Sequence, residues 1–400
     1  MSATPPVLIA GAGIGGLATA LALSQQGHAA HVLEKRADPA EDGAGIQIGP
    51  NGVHVLRQLG VADALAPLTA SPQSLHIMDG VSGRPLTSLP LGETIALRHG
   101  APYWSAHRAD LHAALLQAAQ RHPLITLSLG CDVISAHSDA QRAEAILADG
   151  SRFEGRALIA ADGLWSRLRE THFSAEPLKF SGKHAYRAII PASRLPSHLC
   201  PSSTHIWLSP RAHAVHYPVR GGKEIALVVV LSERERISPG WGAPVPAARL
   251  HAQFPRSAPD LRALIEQPDA WRGWPLMTPS SPLTGSGARG RVALLGDAAH
   301  PILPFLAQGA VMALEDAAIL AQCLSRTPDD VAGALARYAA VRAPRVQQVA
   351  RASWRNGQIY HLSGPIAAAR NAVLRHTPAR RLLASYDWLY GWRVGAQDMA

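Results

Sequence analysis

The sequence has few cysteines, and they show no paired spacing. Cys131, Cys200 and Cys323 are the three cysteines of the 400-residue chain. Their separation excludes the clustered cysteines of a disulfide framework and the paired spacing of a structural zinc site. We therefore expect buried thiols and no metal.

Long apolar runs are also missing. No stretch approaches the roughly 18 uninterrupted apolar residues of a membrane span, although hydrophobic residues make up 47% of the chain and charged residues only 17%. Six residues precede the first apolar run, VLIAGAGIGG, which leaves no room for a secretion signal. We expect a cytoplasmic protein of two or three lobes with no membrane partner.

Lysine and glutamate are absent from the C-terminal end. Residues 326–400 hold eleven Arg and four Asp, which gives +7 of the formal net charge of +9. The arginines are not interleaved with aromatic platforms and match no recognised binding module, so we interpret them as a solvated helix face and expect no nucleic-acid partner. A positive field of this kind favours anionic substrates.

The N-terminal residues follow the order strand, glycine turn, helix. The run from Val7 to Ala10 is of β type, Gly11-x-Gly13-x-x-Gly16 follows it directly, and LATALALSQQG has helical periodicity. The three glycines permit a tight turn, close approach to a pyrophosphate, and packing of the helix on the strand. Glu34 lies eighteen residues after Gly16, a spacing typical of an acid that binds a ribose hydroxyl. This region predicts a dinucleotide site.

A second glycine pattern lacks this context. Gly285-x-Gly287-x-x-Gly290 follows the proline- and serine-rich stretch TPSSPLT and precedes a strand, RVALLG. No strand leads into it and no helix leaves it, so we predict a loop.

Turn residues divide the rest of the chain into short elements. Residues 124–161 and 183–231 are β-rich, with hairpin turns predicted at Asp149-Gly150 and Gly221-Gly222. A strand follows Arg291, a helix begins at about Ala310, and arginine-bearing helices continue to the end.

Two further motifs bring out a family resemblance. Together with the glycine turn, ADGLWSRLR (161–169) and RVALLGDAAHPILPFLAQGA (291–310) resemble the single-component FAD-dependent aromatic hydroxylases that include the hydroxybenzoate and salicylate hydroxylases. The runs RAHAVHYPVRGGK and DWLYGW look most like 3-hydroxybenzoate 6-hydroxylases.

The resemblance implies an α/β fold with a discontinuous, Rossmann-like FAD-binding domain, a β-sheet substrate domain and C-terminal helices. The implied limits are 1–72, 101–180 and 285–345 for the FAD-binding domain, 73–100 and 181–284 for the substrate domain, and 346–400 for the C-terminal helical region.

The resemblance also assigns residues to the cofactor. They are Gly11, Gly13, Ile14, Gly15, Gly16, Glu34, Lys35, Gly45, Ile46, Gln47, Arg108, Val133, Asp162, Asp297, Gln308, Gly309 and Ala310. Some of these positions have alternatives: Asp297 could be a helix N-cap, Asp162 an ordinary turn residue, and Arg108 the partner of Asp110 in a surface ion pair. The backbone of Gln308, Gly309 and Ala310 would lie against the flavin and stabilise negative charge on it. We interpret His300 as structural.

The substrate side is predicted from the strand HAVHYPV (213–219). Its alternation places His213, Val215 and Tyr217 on one face and Ala214 and His216 on the other. The resemblance implies that the first face meets the aromatic ring, with His213 as the base for a phenolic proton and Tyr217 relaying or orienting. From spacing alone, a histidine on a strand is more often a core or surface residue than a base. His216 is interpreted as structural.

The implied reaction uses NADH or NADPH to reduce FAD, and dioxygen then forms a flavin hydroperoxide that hydroxylates a small phenolic acid. Pro304 and Phe305, expected in the substrate wall, stand where 3-hydroxybenzoate 6-hydroxylases carry glutamine and 6-hydroxynicotinate monooxygenases carry histidine, respectively. This apolar wall leaves a heteroaromatic or larger ring open. A flavin halogenase and a non-catalytic flavoprotein are the remaining alternatives, and the sequence is compatible with a homodimer.

Overall fold

The structure is a computed structural model, and it describes residues 4–39, 44–174, 176–199, 202–233, 242–280 and 287–395. The strands of these residues are β1 (Val7–Ala10), β2 (Ala30–Glu34), β3 (Gly45–Ile48), β4 (Ser74–Asp79), β5 (Pro85–Pro90), β6 (Trp104–His107), β7 (Ile125–Leu129), β8 (Val133–Ser138), β9 (Ala143–Leu147), β10 (Arg152–Gly155), β11 (Ala157–Ala160), β12 (Lys179–Pro191), β13 (Thr204–Ser209), β14 (Ala212–Val219), β15 (Glu224–Ser232), β16 (Ala243–Pro246), β17 (Ala270–Thr278), β18 (Ala288–Arg289) and β19 (Val292–Leu294). The α-helices are α1 (Ile14–Gln25), α2 (Pro50–Gln58), α3 (Ala62–Leu65), α4 (Gly92–His99), α5 (Arg108–Arg121), α6 (Arg167–Thr171), α7 (Ala247–His251), α8 (Pro259–Glu266), α9 (Gly309–Arg326), α10 (Val331–Tyr360), α11 (Gly364–His376), α12 (Ala379–Ala384) and α13 (Asp387–Tyr390).

A six-stranded sheet in the order β18-β19-β11-β1-β2-β7 carries the glycine turn. All neighbours in it are parallel except the edge strand β18. Strands β1 and β11 read VLIA and ALIA and are fully buried, as expected for parallel strands covered on both faces. Helices α1, α5 and α9 form one covering layer.

The order of this sheet brings three distant motifs to one edge. Ala10 pairs with Ala160, and Ala160 pairs with Leu294. The glycine turn, the loop at Asp162 and the loop at Asp297 therefore leave the carboxyl ends of adjacent parallel strands, where open α/β sheets bind ligands.

An eight-stranded, mostly antiparallel sheet forms the second layer, in the order β16-β17-β12-β15-β14-β13-β4-β5. One face packs on α7 and α8 through a core that includes Trp207, Leu261 and Trp271. On the opposite face, Val230 packs with Leu303 and Phe305. Strand β14, which carries the predicted substrate residues, thus lies between helices α7 and α8 on one side and the domain of the six-stranded sheet on the other. The mixed α/β architecture expected from the sequence is confirmed.

Both predicted hairpin turns are present. Gly150, with φ +86°, lies between the antiparallel strands β9 and β10. Gly221 and Gly222, with φ +65° and +86°, lie between the antiparallel strands β14 and β15. The second glycine pattern was interpreted as a loop, but Ala288 and Arg289 within it form the edge strand β18. Gly290 lies in the turn between β18 and β19, and Gly285 lies outside the described residues.

The interpretation of the C-terminal arginines as a solvated face is wrong for two of them. Arg342 is 4% exposed and contacts Glu315 at 2.9 Å and Asp316 at 2.7 Å. Arg345 contacts Glu315 at 2.9 Å. These arginines on α10 neutralise two carboxylates of α9 that are 0% exposed, because buried charges need partners.

Three smaller points follow from the described residues. None of their helices combines the length and the apolar character needed to cross a membrane. They contain no cluster of three or more His, Cys, Asp or Glu side chains that could hold a metal ion. Cys131 and Cys323 carry thiols; Cys323 is buried, as predicted, whereas the prediction is wrong for Cys131, which is only partly buried. Cys200 lies outside the described residues.

Candidate active site

The glycine turn has the geometry of a pyrophosphate cradle. Gly11 has φ +105°, and a Cβ there would lie 2.5 Å from the carbonyl oxygen of Ala161. A Cβ on Gly16 would collide with the carbonyl oxygen of Gly11, so α1 can approach the turn only with glycine at this position. Gly13 precedes α1, whose first turn has no side-chain cap and no acidic residue. Its N–H groups are therefore available to an anion.

Glu34 supports this turn directly. Its carboxylate accepts hydrogen bonds from the Ala12 N–H at 2.8 Å and the Arg36 N–H at 3.0 Å, and the residue is 4% exposed. The predicted contact with a ribose hydroxyl stays a prediction. The neighbouring Lys35 is exposed, whereas the Val133 side chain lies in the core with Leu33.

Asp162 has an unsatisfied oxygen at the same edge. Its Oδ2 accepts from the Leu168 N–H at 3.3 Å, and its Oδ1 is buried with no hydrogen-bond partner among the described residues. Burial raises the pKa of this carboxyl above its usual value. A buried acceptor without a donor is costly, so this oxygen is suited to receive a donor from a bound ligand.

Arg169, which the sequence interpretation gave no role, joins the two later motifs. It is 2% exposed and donates to the carbonyl oxygens of Leu164 at 2.6 Å, Asp297 at 3.3 Å and Ala298 at 3.2 Å. The Asp162 loop and the Asp297 loop are therefore held together by one guanidinium. Its position inside ADGLWSRLR was the sequence signal.

Asp297 is exposed and follows Gly296, which has φ +61°. The ideal Cβ position of Gly309 lies 3.9 Å from Asp297 Oδ1, so the carboxylate stands beside the start of α9. The N-cap residue of α9 is Gln308, so Asp297 is not the N-cap of this helix.

A buried polar network fixes the start of α9. Gln308 Oε1 accepts from Asn51 Nδ2 at 3.0 Å, and the same nitrogen reaches Glu315 Oε1 at 2.8 Å. Asp316 accepts from the Gly296 N–H at 3.0 Å and contacts His300 Nε2 at 2.5 Å. His300 is part of this network, in agreement with its structural interpretation, which stays a prediction. Sequence reasoning missed this network, although an acidic pair inside an apolar helix was a visible signal.

One cavity of about 230 Å³ brings the predicted cofactor and substrate residues together. The cofactor candidates that line it are Gly45, Ile46, Gln47, Arg108, Asp297, Gly309 and Ala310, and the substrate candidates are His213, Val215, Tyr217 and Pro304. Phe305 is a predicted wall residue that does not line the cavity; its ring packs behind His213, with ring centroids 5.6 Å apart. For Arg108, the ion-pair alternative stays open, although Asp110 also binds Arg220 at 3.0 Å.

The predicted alternation of β14 is confirmed. His213 and Tyr217 are 3% and 4% exposed on the cavity face, while His216, on the other face, accepts from Trp207 Nε1 at 3.2 Å. Burial, aided by the charge of Lys183, lowers the pKa of His213 to about 3. Burial raises the pKa of Tyr217 above its usual value. Both groups are therefore neutral near pH 7.

Arg187 is the main cavity residue that sequence reasoning left without a role. It lies on β12, lines the cavity, and has its guanidinium 5.1 Å from the centroid of the Trp274 ring. Its Nε is buried without a hydrogen-bond partner among the described residues. A guanidinium with an unsatisfied Nε in a cavity favours an anionic ligand. An arginine inside the apolar run AYRAII was the available signal.

Comparisons with known proteins agree with this geometry. Residues 4–353 match the family model described as FAD binding domain. The chain is 37% identical over 386 residues to 3-hydroxybenzoate 6-hydroxylase 1 of Aquipseudomonas alcaligenes, with 96% of this chain and 97% of that protein covered. It is 35% identical to 6-hydroxynicotinate 3-monooxygenase of Bordetella bronchiseptica, with 100% and 98% covered. The solved structure of Klebsiella pneumoniae HpxO complexed with FAD and uric acid has a TM-score of 0.83 at 27% identity, with 95% of each chain covered.

The site residues fit FAD. The uncapped N-terminus of α1 can receive a pyrophosphate, the Asp162 oxygen lacks a donor among the described residues, and the cavity continues from the start of α9 to the substrate strand. The chain belongs to the FAD-binding domain family, and it is an FAD-dependent monooxygenase of the single-component aromatic hydroxylase type.

Proposed function

We propose that this enzyme hydroxylates a small phenolic acid similar to 3-hydroxybenzoate or salicylate, with NADH or NADPH as reductant and dioxygen as co-substrate. The observation that carries the proposal is the single cavity in which Gly309 and Asp297 face the wall formed by Arg187, His213 and Tyr217. The name of the 37% identical relative, a 3-hydroxybenzoate 6-hydroxylase, supports the same substrate class.

The cofactor would be held by backbone and carboxylate groups. The N-terminus of α1 would receive the pyrophosphate, Asp162 and Asp297 would accept hydrogen bonds, and the backbone at Gly309 would lie against the flavin. When bound, FAD supplies the redox chemistry that takes electrons from the nicotinamide and activates dioxygen.

The protein's own residues bind and activate the ring. Arg187 binds the carboxylate, because its guanidinium is buried and unsatisfied at Nε. His213 presents Nε2 to the phenol, since its Nδ1 is engaged by His361 at 2.8 Å. Removing the phenolic proton makes the ring electron-rich, and Tyr217 orients the oxygen. Val215 and Pro304 form apolar parts of the wall that exclude water.

A hydroxylated nitrogen heteroaromatic acid is the second candidate. It is favoured by the 35% identical relative that is named a 6-hydroxynicotinate 3-monooxygenase. Pro304, which lines the cavity, counts against it, because proline has no N–H to donate to a ring nitrogen. Relative activity on the two classes of acid decides between them.

The decisive experiment is a substrate panel on yellow, FAD-loaded enzyme. Hydroxybenzoates, salicylate and 6-hydroxynicotinate are each mixed with NADH or NADPH, and product is identified and compared with the reductant consumed. We expect one phenolic acid to accelerate NADH or NADPH oxidation with stoichiometric hydroxylated product. Release of hydrogen peroxide alone with every compound would overturn the proposed substrate class.

Location and assembly complete the proposal. A soluble nicotinamide reductant is consistent with a cytoplasmic enzyme that needs no membrane or nucleic-acid partner. A homodimer is supported by the exposed apolar residues Ile366 and Val373 of α11, which are 65% and 64% exposed. Sedimentation of the wild type and of the double variant Ile366→Ser, Val373→Ser tests this, and an unchanged monomer in both would reject it.

A further inference from the structure

A chain of hydrogen-bonding side chains leads out of the cavity behind His213. His213 Nδ1 lies 2.8 Å from His361 Nε2, at the C-terminal end of α10. His361 Nδ1 lies 2.7 Å from Ser232 Oγ and 3.2 Å from Lys183 Nζ. Lys183 Nζ also donates to Ser232 Oγ at 3.1 Å. Four side chains from β12, β14, β15 and the end of α10 therefore form one continuous path.

The path runs from the interior toward solvent. His213 and His361 are 3% and 9% exposed, whereas Ser232 and Lys183 are partly exposed. Strand pairing fixes the outer end, because Lys183 and Ser232 are directly opposite each other in β12 and β15. The inner end is fixed by the rings of Phe305 and Tyr360, at 5.6 and 5.2 Å from the His213 ring.

The charge state of Lys183 sets the direction of every hydrogen bond in the path. A charged ammonium has donors only, so beside it His361 Nδ1 must accept, and His361 Nε2 then donates to His213 Nδ1. The proton of neutral His213 is in that case on Nε2, the nitrogen available to the cavity. When Lys183 is neutral, its lone pair can accept from His361 Nδ1, and each hydrogen bond reverses.

We propose that His361 and Lys183 form, with His213, a proton relay that carries the phenolic proton of the substrate from the cavity to the protein surface. The inference rests on the proposed function, since it requires a phenolic ligand. His361 and Lys183 act through His213 and are therefore positioning residues.

The transfer balances in atoms and charge. The phenol O–H bond breaks and an N–H bond forms at His213 Nε2; the Nδ1–H of His213 passes to His361 Nε2; the Nδ1–H of His361 passes to Lys183 Nζ. A phenol and a neutral amine become a phenolate and an ammonium ion. The final tautomers leave His213 Nε2–H as a donor to the phenolate oxygen, which stabilises the product of the transfer.

The electrostatic surroundings explain why a relay is needed. Burial, together with charges that include Lys183, lowers the pKa of His213 to about 3 and that of His361 to about 2, so neither imidazole can store the proton. Burial and the charge of Arg211 lower the pKa of Lys183, which makes its neutral form more accessible. Arg370 is the other cation that acts on His361.

Glu233, the acidic residue next to the path, does not offset the positive charges that act on the path. Glu233 follows Ser232 in the chain, and its carboxylate accepts from Tyr186 at 2.7 Å and contacts His184 and Arg249, each at 2.8 Å. Its charge is therefore matched on the far side of the sheet.

The test follows proton release when FAD-loaded enzyme binds 3-hydroxybenzoate without a reductant. Stopped-flow mixing with a pH-indicator dye measures the released proton, and the difference absorbance of the phenolate measures ionisation of the bound ligand. Benzoate, which has no phenolic proton, is the ligand control. We expect the wild type to release about one proton per bound ligand, at a rate that rises with pH as Lys183 becomes neutral.

Two variants interrupt the relay without removing the base. His361→Gln keeps one hydrogen-bond acceptor and one donor, but its amide cannot take up a proton at one end and release another at the other end, and Lys183→Arg keeps the positive charge but cannot become neutral. Each should slow proton release by roughly 100-fold, at the lower end of the range for general acid–base catalysis, and Lys183→Arg should remove the rise with pH. Benzoate affinity should not change. His216→Gln, on the opposite face of β14, is the matched control and should release the proton as the wild type does.

The outcomes separate the two proposals. Proton release by both variants at the wild-type rate would overturn the relay, and so would wild-type enzyme that binds 3-hydroxybenzoate without ionising it. Yellow wild-type enzyme that binds neither 3-hydroxybenzoate nor salicylate would instead reject the proposed function and remove the relay's proton source. If His361→Gln loses FAD, the partly exposed Lys183→Arg variant decides the result.

Discussion

At the residue scale, burial controls the acid–base groups of the cavity. His213 and Tyr217 both lie on β14 and are almost fully buried, and low polarity opposes the charged form of each. The histidine is therefore held neutral by a lowered pKa, and the tyrosine by a raised one. The only cation among the argued substrate contacts is Arg187, so the cavity accepts an anion and leaves its proton acceptors uncharged.

Replacing His213 tests the assigned base. His213→Ala should reduce hydroxylated product by roughly 100-fold or more, because no other group is placed to take the phenolic proton through the relay. FAD content, read from flavin absorbance, should stay at the wild-type level, since His213 is not a cofactor contact in this assignment. Product formation at the wild-type rate would remove His213 from the mechanism.

At the scale of elements, one glycine decides whether α1 can meet its strand. The turn and the helix touch at Gly16, where any side chain would collide with the Gly11 carbonyl. The collision involves backbone rather than a flexible side chain, so α1 itself must shift and move its N-terminus from the pyrophosphate position.

Gly16→Ala should therefore abolish retention of FAD, or weaken FAD binding by at least 10-fold, about 1.4 kcal/mol. Flavin absorbance after gel filtration and titration of the apoprotein with FAD measure the effect. Gly27→Ala is the matched control near the other end of α1, where a Cβ would meet nothing within 4 Å although φ is +82°. If Gly16→Ala and Gly27→Ala bound FAD equally well, the helix position would not depend on this contact.

The ion network between α9 and α10 is a second feature at this scale. Asp316 is fully buried between His300 and Arg342. Asp316→Asn should lower the free energy of unfolding by about 3–5 kcal/mol, because it leaves Arg342 buried with incomplete compensation. Urea unfolding measures this. Asp269→Asn, in the exposed pair with Arg194, should have a much smaller effect, and equal effects would contradict the argument.

The same carboxylate predicts a pH dependence of stability. Burial opposes ionisation of Asp316, but His300 and Arg342 outweigh it and lower the pKa from 3.8 to about 2. A carboxyl whose pKa is lower in the folded state than in the unfolded state stabilises the folded protein at pH values above its unfolded-state pKa. This contribution is lost as the pH falls through the folded-state pKa. The stability gap between wild type and Asp316→Asn should therefore narrow from about pH 6 to about pH 3 in urea titrations. A gap that widens on acidification would refute the assignment.

At the scale of the whole molecule, the C-terminal residues close the structure over the nucleotide domain. Arg345 donates to the carbonyl oxygens of Trp388 and Leu389 at 2.7 and 2.9 Å. Trp392 is 9% exposed and lies against the guanidinium groups of Arg342 and Arg345, at 5.6 and 5.8 Å from its ring centroid. The C-terminal tail, here the residues from Trp388 to Trp392, thus covers the ion network that supports α9.

Trp392→Ala should lower the free energy of unfolding by about 3 kcal/mol, the lower end of the range for a buried tryptophan. Trp354→Ala is the control, because Trp354 is 57% exposed on α10 and should cost much less. Chemical unfolding of both variants, with flavin absorbance as a second readout, checks the prediction. Similar losses from the two variants would mean that the tail does not contribute through this contact.

The domain limits also belong to this scale. The division at about residues 72, 100, 180, 284 and 345 stays a prediction. The described strands group into a mainly parallel sheet and a mainly antiparallel one, and limited proteolysis of apoprotein and FAD-loaded protein would locate the boundaries.

The sequence by itself determined the features that depend on neighbours in the chain. Glycines at 11 and 16 specified the turn because only glycine fits there, and strict alternation in β14 put His213 and Tyr217 on one face. These two features follow from local sterics and from the fixed period of a strand. The identity of the cofactor was indicated by the resemblance of the motifs to those of the FAD-dependent aromatic hydroxylases.

Only the tertiary structure decided which distant groups meet. The adjacency of β1, β11 and β19 gathered Gly11, Asp162 and Asp297 at one edge. Packing of α10 turned Arg342 and Arg345 inward and placed His361 beside His213, although 148 residues separate the two histidines. Local patterns carry no information on such pairs, because they depend on strand order and helix packing that the whole chain must satisfy together.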